Sequence, residues 1–456
     1  MAKENKKELQ MEKIKISKEK LITIRDIIIV ILLLLWMIMP VLQTFNVIYE
    51  TIELDKWYFT LMKTIGGVGI ALAVISIYDK IKHSENKKQY LKELIPIFLF
   101  ILYMIWTLIA CYKSTFPERA FNGTSYRKEG YFMYINYAGY FLCAFLLQNK
   151  TYRKILLNIF LMVTIFLIVI SRATLGGKIL PQYFVNNEIE DSVFHQFNHY
   201  GYYLTMALIC SLGLFLKEKN KSLKIFYVLV YTVIVYATIY NNTFGCYLAV
   251  CIFLIMYAIY ALLKKTDRKL IFTAIAIFTI LSCVTFQDGK NVAYKNLSEF
   301  AFDIKSIITK ILNLDVEDEE MEENFESAGT DRMKLWVNGI KFIQKKPIIG
   351  YGPETLRHQY LINSRIDQDR PHNLIIYLAC VSGIPGMLLY MTAVGIIVAK
   401  GIKKLLSENK DGTIYLIIII TYLISSMFGN SMYYTSPYFF IFLGGLMNWN
   451  LNHKEE

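Results

Sequence analysis

Twelve apolar runs, each close to the length that crosses a bilayer, divide the sequence from one end to the other. A helix rises 1.5 Å per residue, so about 20 apolar residues cover the roughly 30 Å hydrocarbon core of a membrane. Backbone groups in lipid are satisfied only within helices or closed barrels. We therefore predict an all-α integral membrane protein with about twelve transmembrane helices. The runs are 27–45, 58–78, 94–111, 131–147, 155–170, 200–216, 225–240, 246–263, 270–286, 374–399, 414–428 and 438–450.

Composition excludes a soluble fold. The 456 residues are 55% hydrophobic and 19% charged, and a water-soluble globule of that composition would expose far too much apolar surface. The formal net charge of +12 would ordinarily indicate a nucleic acid partner. Here the basic residues lie in short clusters between the apolar runs and not on one face of a domain. We predict contact with membrane lipid and no nucleic acid partner.

The positions of the lysines and arginines predict the orientation of the chain. With a cytoplasmic amino terminus, 29 of the 49 Lys and Arg residues lie on the cytoplasmic side and 20 on the opposite side. Of those 20, 12 belong to the long segment 287–371, and long loops are discounted in the positive-inside rule. We predict a multi-pass protein of the cell membrane with both termini cytoplasmic and the long loop extracytoplasmic.

Four regions follow from this pattern. Residues 1–26 form a basic cytoplasmic leader, 27–286 hold spans one to nine, 287–371 form the long loop with part of the site, and 372–456 hold spans ten to twelve and a short tail. Within the long loop, the spacing of apolar residues predicts an amphipathic helix over 303–314 on the membrane surface. An acidic connector, 317–323, follows it. A second helical pattern begins at Asp331-Arg332 and is halted by Lys345-Lys346-Pro347.

Polar residues at other outward span ends are further candidates. Arg127 and Arg172 both lie at such ends, where the alternative interpretation is that they reach lipid headgroups. His195 and His199 are four residues apart, a spacing that can bind a metal ion on one helix face. Because no third ligand lies near them in the sequence, we favour a polar lining of the vestibule. No metal site and no cofactor is predicted.

An ordered set of motifs surrounds the long loop. It resembles the O-antigen ligase and O-antigen polymerase family of bacterial membrane glycosyltransferases, and the resemblance extends from about Arg127 to the carboxyl end. The motifs are Arg127-x-x-Gly130, Phe197-Asn198, Arg332-x-x-x-Trp336, Gly350-Tyr351-Gly352, His372-Asn373 and Gly383-Ile384-Pro385-Gly386.

The resemblance implies an enzyme of cell-envelope polysaccharide biosynthesis. A glycan carried on a polyprenyl pyrophosphate such as undecaprenyl pyrophosphate would be transferred, outside the membrane, to a hydroxyl of a glycan, lipid or protein acceptor. His372 matches the residue expected to take the acceptor proton, because its ordinary pKa is near neutrality. Arg332 matches the residue expected to hold the leaving pyrophosphate. The residues predicted to bind substrate are Arg127, Arg172, Lys341 and Tyr351.

The turn 241–245 departs from the family pattern, since many members carry an arginine there and this turn reads Asn-Asn-Thr-Phe-Gly. Arg127 is the favoured replacement, ahead of Arg172, because Gly130 would let a phosphate approach the backbone closely. His372 could instead be a polar helix end, and Arg332 a loop-stabilising partner of Asp331 or of the acidic run 317–323. A transporter of lipid-linked glycan is the alternative function, and a non-catalytic assembly partner is a third. Ligase and polymerase activities, the sugar and the oligomeric state stay open.

The orientation can be tested with reporter fusions at Glu319 and Lys404. We expect the two fusions to report opposite sides of the membrane, with Glu319 outside, because the basic clusters fix the loops that stay in the cytoplasm. Reporters on the same side would overturn both the span order and the proposed location of the site.

Overall fold

The structure is a computed structural model that describes residues 2–49, 54–173, 192–194, 196–287, 289–312, 332–407 and 412–451. The described chain is almost entirely helical, which confirms the predicted all-α class. Its strands are a two-residue antiparallel pair, Phe286–Gln287 and Lys290–Asn291, in which Phe286 lies opposite Asn291.

The helices follow one another with short connections. The described residues also include two 3₁₀ turns, Ser192–Phe194 and Ser426–Phe428. In chain order the α-helices are α1 (Ala2–Tyr49), α2 (Leu54–His83), α3 (Lys87–Glu93), α4 (Ile95–Tyr112), α5 (Pro117–Asn122), α6 (Tyr131–Leu146), α7 (Lys150–Ala173), α8 (Phe197–Lys217), α9 (Lys221–Asn241), α10 (Phe244–Lys264), α11 (Arg268–Val284), α12 (Val292–Leu312), α13 (Arg332–Lys345), α14 (Leu356–Ser364), α15 (Leu374–Leu406), α16 (Thr413–Ser425) and α17 (Ser436–Asn450).

Eight of the described helices are long and apolar enough to cross a membrane: α1, α2, α4, α7, α8, α9, α10 and α15. The other four predicted spans fall on the shorter helices α6, α11, α16 and α17. The chain is therefore a multi-pass membrane protein by the length and composition of its helices. The total of twelve crossings and the side on which each end lies stay predictions.

Helix α8 lies at the centre of the bundle. Nearly all of its residues are buried, and α7, α9, α10 and α16 pack against it. Peripheral helices expose large apolar side chains, among them Leu35 on α1 and Ile75 on α2. Such side chains suit a surface that faces lipid and not water. The bundle thus has a protein-covered centre and an apolar periphery.

Helix α6 is held closely on two sides. A Cβ added at Gly69 of α2 would lie 2.2 Å from the carbonyl oxygen of Gly139, and one added at Gly139 would lie 2.1 Å from that of Gly66. On the other side, a Cβ at Gly444 of α17 would lie 2.1 Å from the carbonyl oxygen of Phe141. Glycine lets membrane helices approach to backbone contact. This packing fixes α6 and, with it, the segment just before it that carries Arg127.

The long loop contains the two predicted helices. The amphipathic helix α12 ends at Leu312, close to the predicted end, but begins at Val292, eleven residues before the predicted start. Helix α13 begins at Arg332 and ends at Lys345, as predicted. The acidic connector 317–323 lies outside the described residues.

Helix α15 is interrupted near its beginning, and the loop before it fills the interruption. Gly383 has φ 69° and ψ 172°, so the helix breaks there. The N–H of Tyr351 donates to the carbonyl of Cys380 at 2.9 Å, and the N–H of Gly352 donates to that of Val381 at 2.9 Å. A Cβ at position 383 would lie 1.9 Å from the carbonyl oxygen of Ile348, which explains why glycine is needed there. The motif Gly350-Tyr351-Gly352 therefore packs directly against the start of the motif Gly383-Ile384-Pro385-Gly386.

Candidate functional site

Four residues, Asp369 to His372, lie in the segment 365–373 that connects α14 to α15, and they form the centre of the candidate site. His372 has φ 52°, a left-handed conformation that is uncommon for a residue with a Cβ and costs about 1–3 kcal/mol. Asn373 follows it and caps α15, accepting a hydrogen bond from the N–H of Ile376 at 3.1 Å and donating to the carbonyl of Met427 at 3.1 Å. The surrounding contacts therefore hold His372 at a fixed place at the head of a span.

Arg370 is buried at the base of this connection, with 1% of its surface exposed. Its Nη1 donates to Glu129 Oε2 at 2.9 Å and to the hydroxyl and carbonyl of Ser431 at 2.8 and 3.0 Å. Its Nη2 donates to Glu354 Oε1. The guanidinium also lies 4.4 Å from the ring centre of Tyr377. Burial would lower the pKa of Arg370, but Tyr377, Glu354 and Glu129 together outweigh it, so the pKa is raised and the side chain stays charged.

Both carboxylates that hold Arg370 are themselves fully bonded. Glu129 accepts from the hydroxyls of Tyr137 at 2.5 Å, Ser436 at 2.9 Å and Ser431 at 2.9 Å. Glu354, which follows the Gly352-Pro353 turn, accepts from the Thr124 hydroxyl at 2.7 Å. Glu354 also has φ 60°, so the network holds a second residue in a conformation that the backbone alone disfavours.

Arg127 forms a two-bonded pair with Asp369. Its Nη2 donates to Asp369 Oδ1 at 3.0 Å and its Nε donates to Oδ2, the planar geometry in which arginine grips a carboxylate most strongly. Although burial would raise the pKa of Asp369, the Arg127 charge and hydrogen bonds outweigh it and lower the pKa to about 2. The guanidinium of Arg127, the predicted phosphate ligand, is therefore already bound to the carboxylate of Asp369.

The His372 ring is neutral in this environment. Burial, followed by the charges of Arg332 and Arg127, lowers its pKa to about 3 from an ordinary 6.5. Asp369 acts in the opposite direction but is the weaker influence. The structure thus brings His372 within electrostatic range of Arg332 and Arg127, in a site that keeps the imidazole unprotonated at neutral pH. The catalytic and binding roles of the three residues stay predictions.

Arg332 begins α13, and contacts farther along α13 hold the helix against α15. The Tyr360 hydroxyl donates to the carbonyl of Leu335 at 2.9 Å, and Cys380 Sγ donates to that of Gly339 at 3.3 Å. The Trp336 ring lies 6.3 Å from that of Phe428. These contacts explain the Arg332-x-x-x-Trp336 spacing, since the tryptophan is one turn away and anchors the helix beside the site. Asp331, the alternative partner of Arg332, lies outside the described residues.

The turn that lacks the family arginine lies close to Arg332. Asn241 Nδ2 donates to the carbonyl of Phe197 at 3.0 Å, and the Thr243 hydroxyl donates to Asn241 Oδ1 at 2.6 Å. The turn is therefore fixed to the start of α8. Cys246, in the first turn of α10, lies within electrostatic range of Arg332. Arg332 thus brings a positive charge to the neighbourhood of a turn whose own residues carry none.

The other predicted substrate ligands occupy different positions. Tyr351 is buried, packs edge-on against Phe342 with ring centres 6.3 Å apart, and lies under the Lys346 ammonium at 4.7 Å. Lys341 is exposed on α13. Nine residues separate it from Arg332, which at 3.6 residues per turn places it on the opposite face and about 14 Å along the axis. The side chain of Arg172 lies outside the described set, and the roles of all three stay predictions.

Sequence reasoning missed Glu129, Glu354, Asp369 and Arg370. Each lies inside or beside a motif that was identified: Glu129 within Arg127-x-x-Gly130, Glu354 after the glycine turn, and Asp369 and Arg370 before His372. The signal available in the sequence was a charged residue next to a glycine or proline of a motif. His195, of the predicted histidine pair, lies outside the described residues. Among the residues that are described, no group of three His, Cys, Asp or Glu side chains could hold a metal ion.

Fold and site together define a multi-pass membrane protein with a buried cluster of arginines, carboxylates and one neutral histidine at the loop end of its bundle. Residues 198–391 match the family model described as O-antigen ligase. This match confirms the resemblance recognised in the sequence. No curated protein matches the chain with significance. The matched stretch contains Arg332 and His372, whereas Arg127 and Glu129 lie before it.

The Arg127–Asp369 pair can be tested by a double-mutant cycle. Side-chain exposures are 5% for Arg127 and 28% for Asp369, so either single change leaves a largely buried charge without its partner. We expect Arg127→Met and Asp369→Asn each to lower the unfolding free energy by about 1–3 kcal/mol. The double variant should lose less than the sum of the two losses. Unfolding in detergent at neutral pH is the measurement.

The control pair is Arg357–Asp367, whose side chains are 58% and 62% exposed and therefore screened by water. A double-mutant cycle on this control pair should show a much smaller coupling free energy than the cycle on Arg127 and Asp369. Because folding lowers the pKa of Asp369 from an ordinary 3.8 to about 2, the coupling should be complete above about pH 4 and lost as the pH falls towards 2. Additive losses at neutral pH would contradict the pairing.

Proposed function

We propose that this protein transfers a glycan from a polyprenyl pyrophosphate carrier to an acceptor hydroxyl at the outer face of the cytoplasmic membrane. The ligase-family match over residues 198–391 supports a membrane glycan ligase or polymerase kind of function. The observation that carries the finer proposal is the meeting of His372 with Arg332 and Arg127 at one end of the helix bundle.

The proposed reaction forms one bond and breaks another at the anomeric carbon of the donor. The acceptor oxygen attacks this carbon, and the bond from it to the pyrophosphate oxygen breaks. The bonding electrons leave with the polyprenyl pyrophosphate, and the hydroxyl proton goes to the imidazole of His372. His372 suits this role because it is neutral before substrate binds and so has a free lone pair. Its place at the head of α15 would let a lipid carrier and an aqueous acceptor meet there.

A base with a pKa of about 3 holds a proton weakly, so the donor itself has to strengthen it. The pyrophosphate brings about two negative charges beside His372, where Arg332 and Arg127 now lower the pKa of the ring. Negative charge at that place opposes the arginines and raises the pKa towards its ordinary value. In this proposal the base becomes effective only when the donor is bound, which limits proton uptake without substrate.

Arg332 is the proposed main ligand of the leaving pyrophosphate, and Arg127 the second. Arg370 is an unsuitable ligand because both of its terminal nitrogens are bonded to buried groups. Arg127 could reach a phosphate only by giving up Asp369. Asp369 is the most exposed of the cluster carboxylates, at 28% against 0% for Glu129 and 2% for Glu354. An exchange in which the pyrophosphate replaces Asp369 on the Arg127 fork therefore costs less than one at Arg370.

A transporter of lipid-linked glycan is the alternative function. Transporters often use interrupted helices whose broken ends face the substrate, and α15 is interrupted at Gly383. Here the carbonyls before the break already accept hydrogen bonds from Tyr351 and Gly352. The interruption is thus used for internal packing, which favours group transfer over transport.

Alanine variants of the two central residues test the transferase proposal. We expect His372→Ala to lower kcat by at least about a hundredfold, because the acceptor proton loses its base. Arg332→Ala should lower it by a similar factor, because the leaving charge loses its stabilisation. Both side chains are only partly buried, so expression and thermal unfolding should stay near those of the wild type. Purified protein, lipid-linked donor and product size analysis provide the assay.

His358→Ala is the matched control, since its ring packs against Phe116 at 4.8 Å and not against the cluster. Wild-type turnover in purified His372→Ala protein would remove the base role. A product ladder would indicate polymerisation, and a single product would indicate ligation. Transport of the intact lipid without bond formation would favour the alternative function.

The pH dependence of kcat and kcat/KM on the acid side tests whether donor binding raises the pKa of His372. The acid limb of kcat/KM reports the free enzyme, in which the pKa of His372 is about 3, and the acid limb of kcat reports the donor complex. We therefore expect kcat/KM to stay level from about pH 7 to about pH 5 while kcat already declines. An acid limb of kcat at lower pH than that of kcat/KM would contradict donor activation of His372.

A further inference from the structure

The ring of His199 is buried, and its two nitrogens have no hydrogen-bond partner among the described residues. This histidine is the third residue of α8 and is 1% exposed. Buried side-chain nitrogens are nearly always bonded, and leaving one unbonded costs about 1–3 kcal/mol. Within the part of the chain that the structure describes, both ring nitrogens of His199 are therefore open to a ligand.

The imidazole of His199 belongs to the same neighbourhood as the proposed reaction centre. It lies within electrostatic range of Arg127, Arg370, Asp369 and His372. Because His199 lies in the first turn of α8, the position of its ring depends on how that turn is held.

The start of α8 is fixed tightly against the turn between α9 and α10. Asn241 Nδ2 donates to the carbonyl of Phe197 at 3.0 Å, and the Thr243 hydroxyl donates to Asn241 Oδ1 at 2.6 Å. A Cβ added at Gly201 would lie 2.6 Å from Asn241 Oδ1 and 2.7 Å from Thr243 Oγ1. This close contact leaves the first turn of α8 little freedom to turn His199 elsewhere.

The chemistry of the ring selects the kind of group that it can bind. A buried imidazole between arginines stays neutral, because a further buried positive charge would be costly. A neutral imidazole offers one N–H donor and one lone pair. A sugar hydroxyl can both accept and donate, so it matches this ring, whereas an ionised phosphate oxygen only accepts and is repelled by the lone pair.

We infer that His199 is a glycan-binding residue that hydrogen-bonds a sugar hydroxyl beside His372, apart from the groups that hold the pyrophosphate. This inference rests on the proposed transferase function and deepens it. The hydroxyl can belong to the donor glycan or to the acceptor, and the two sources are separable by experiment.

The test compares two lipids on the purified full-length chain. One is undecaprenyl pyrophosphate without sugar. The other is the same carrier with its glycan, extracted from cells in which the gene for this chain is disrupted. We expect His199→Ala to bind the glycan-bearing lipid about tenfold more weakly, the change that one neutral hydrogen bond produces. Its affinity for the bare lipid should stay within about twofold of the wild type, which also shows that the variant is folded.

Two further variants complete the comparison. His199→Asn keeps one donor and one acceptor on a shorter side chain and should recover part of the lost affinity. His83→Ala, at an exposed histidine that bonds Asp79 on α2, should bind both lipids as the wild type does. In transfer assays at saturating donor, a roughly tenfold rise confined to the acceptor KM would support the inference with the hydroxyl on the acceptor.

An equal loss of affinity for both lipids in His199→Ala would overturn the inference, because it would indicate a pyrophosphate contact or a structural role. Wild-type affinity for both lipids together with a wild-type acceptor KM would overturn it as well. Failure of the transferase proposal looks different, since the wild-type chain would then show no transfer with any lipid.

Discussion

The buried guanidinium of Arg370 is the interaction on which the loop end of the molecule depends. It joins the segment before α6 through Glu129, the glycine loop through Glu354, and the segment before α17 through Ser431. Removing a charge from water costs several kcal/mol unless its partners are well placed. The three segments must therefore keep their positions together. A buried ion network of this kind gives little net stability. Its effect here is to fix the relative positions of the segments that it joins.

This dependence also defines the extent of the functional unit. Glu129 and Ser431 lie on either side of the matched stretch 198–391, yet both contact the arginine two residues before His372. Arg127, on the Asp369 carboxylate, comes from the same outlying segment. Helices α6 and α17 are pressed together through Gly444 and the backbone of Phe141. The matched stretch therefore holds Arg332 and His372, the proposed reacting groups, and helices outside it supply much of the frame around them.

The architecture could be predicted from the sequence because its causes are repetitive. Apolar runs of bilayer length give helices in any context, and all twelve runs fall on helices to within about two residues. The pairing of Tyr351 and Gly352 with the broken α15 was present in the sequence only as two motifs about 30 residues apart. Nothing in either motif states that it contacts the other.

The ion network could not be predicted, because a buried charge and a solvated charge look alike in one sequence. Arg370 lies in a polar stretch with Arg365, Asp367 and Asp369, and only the fold shows that it is 1% exposed while Asp367 faces water. Its partner Glu129 is 241 residues away in the chain. His199 was identified for its spacing to His195, whereas its significance lies in burial, which a sequence does not record.

The interruption of α15 has a consequence for how the protein is made. In hydrocarbon, the carbonyls of Cys380 and Val381 would each cost several kcal/mol if no donor reached them. Their donors are on Tyr351 and Gly352, which the ribosome synthesises earlier. Helix α15 therefore does not satisfy all of its own backbone groups. The preceding loop has to dock against it before this span is stable in lipid. Biogenesis of the span and closure of the loop are one event.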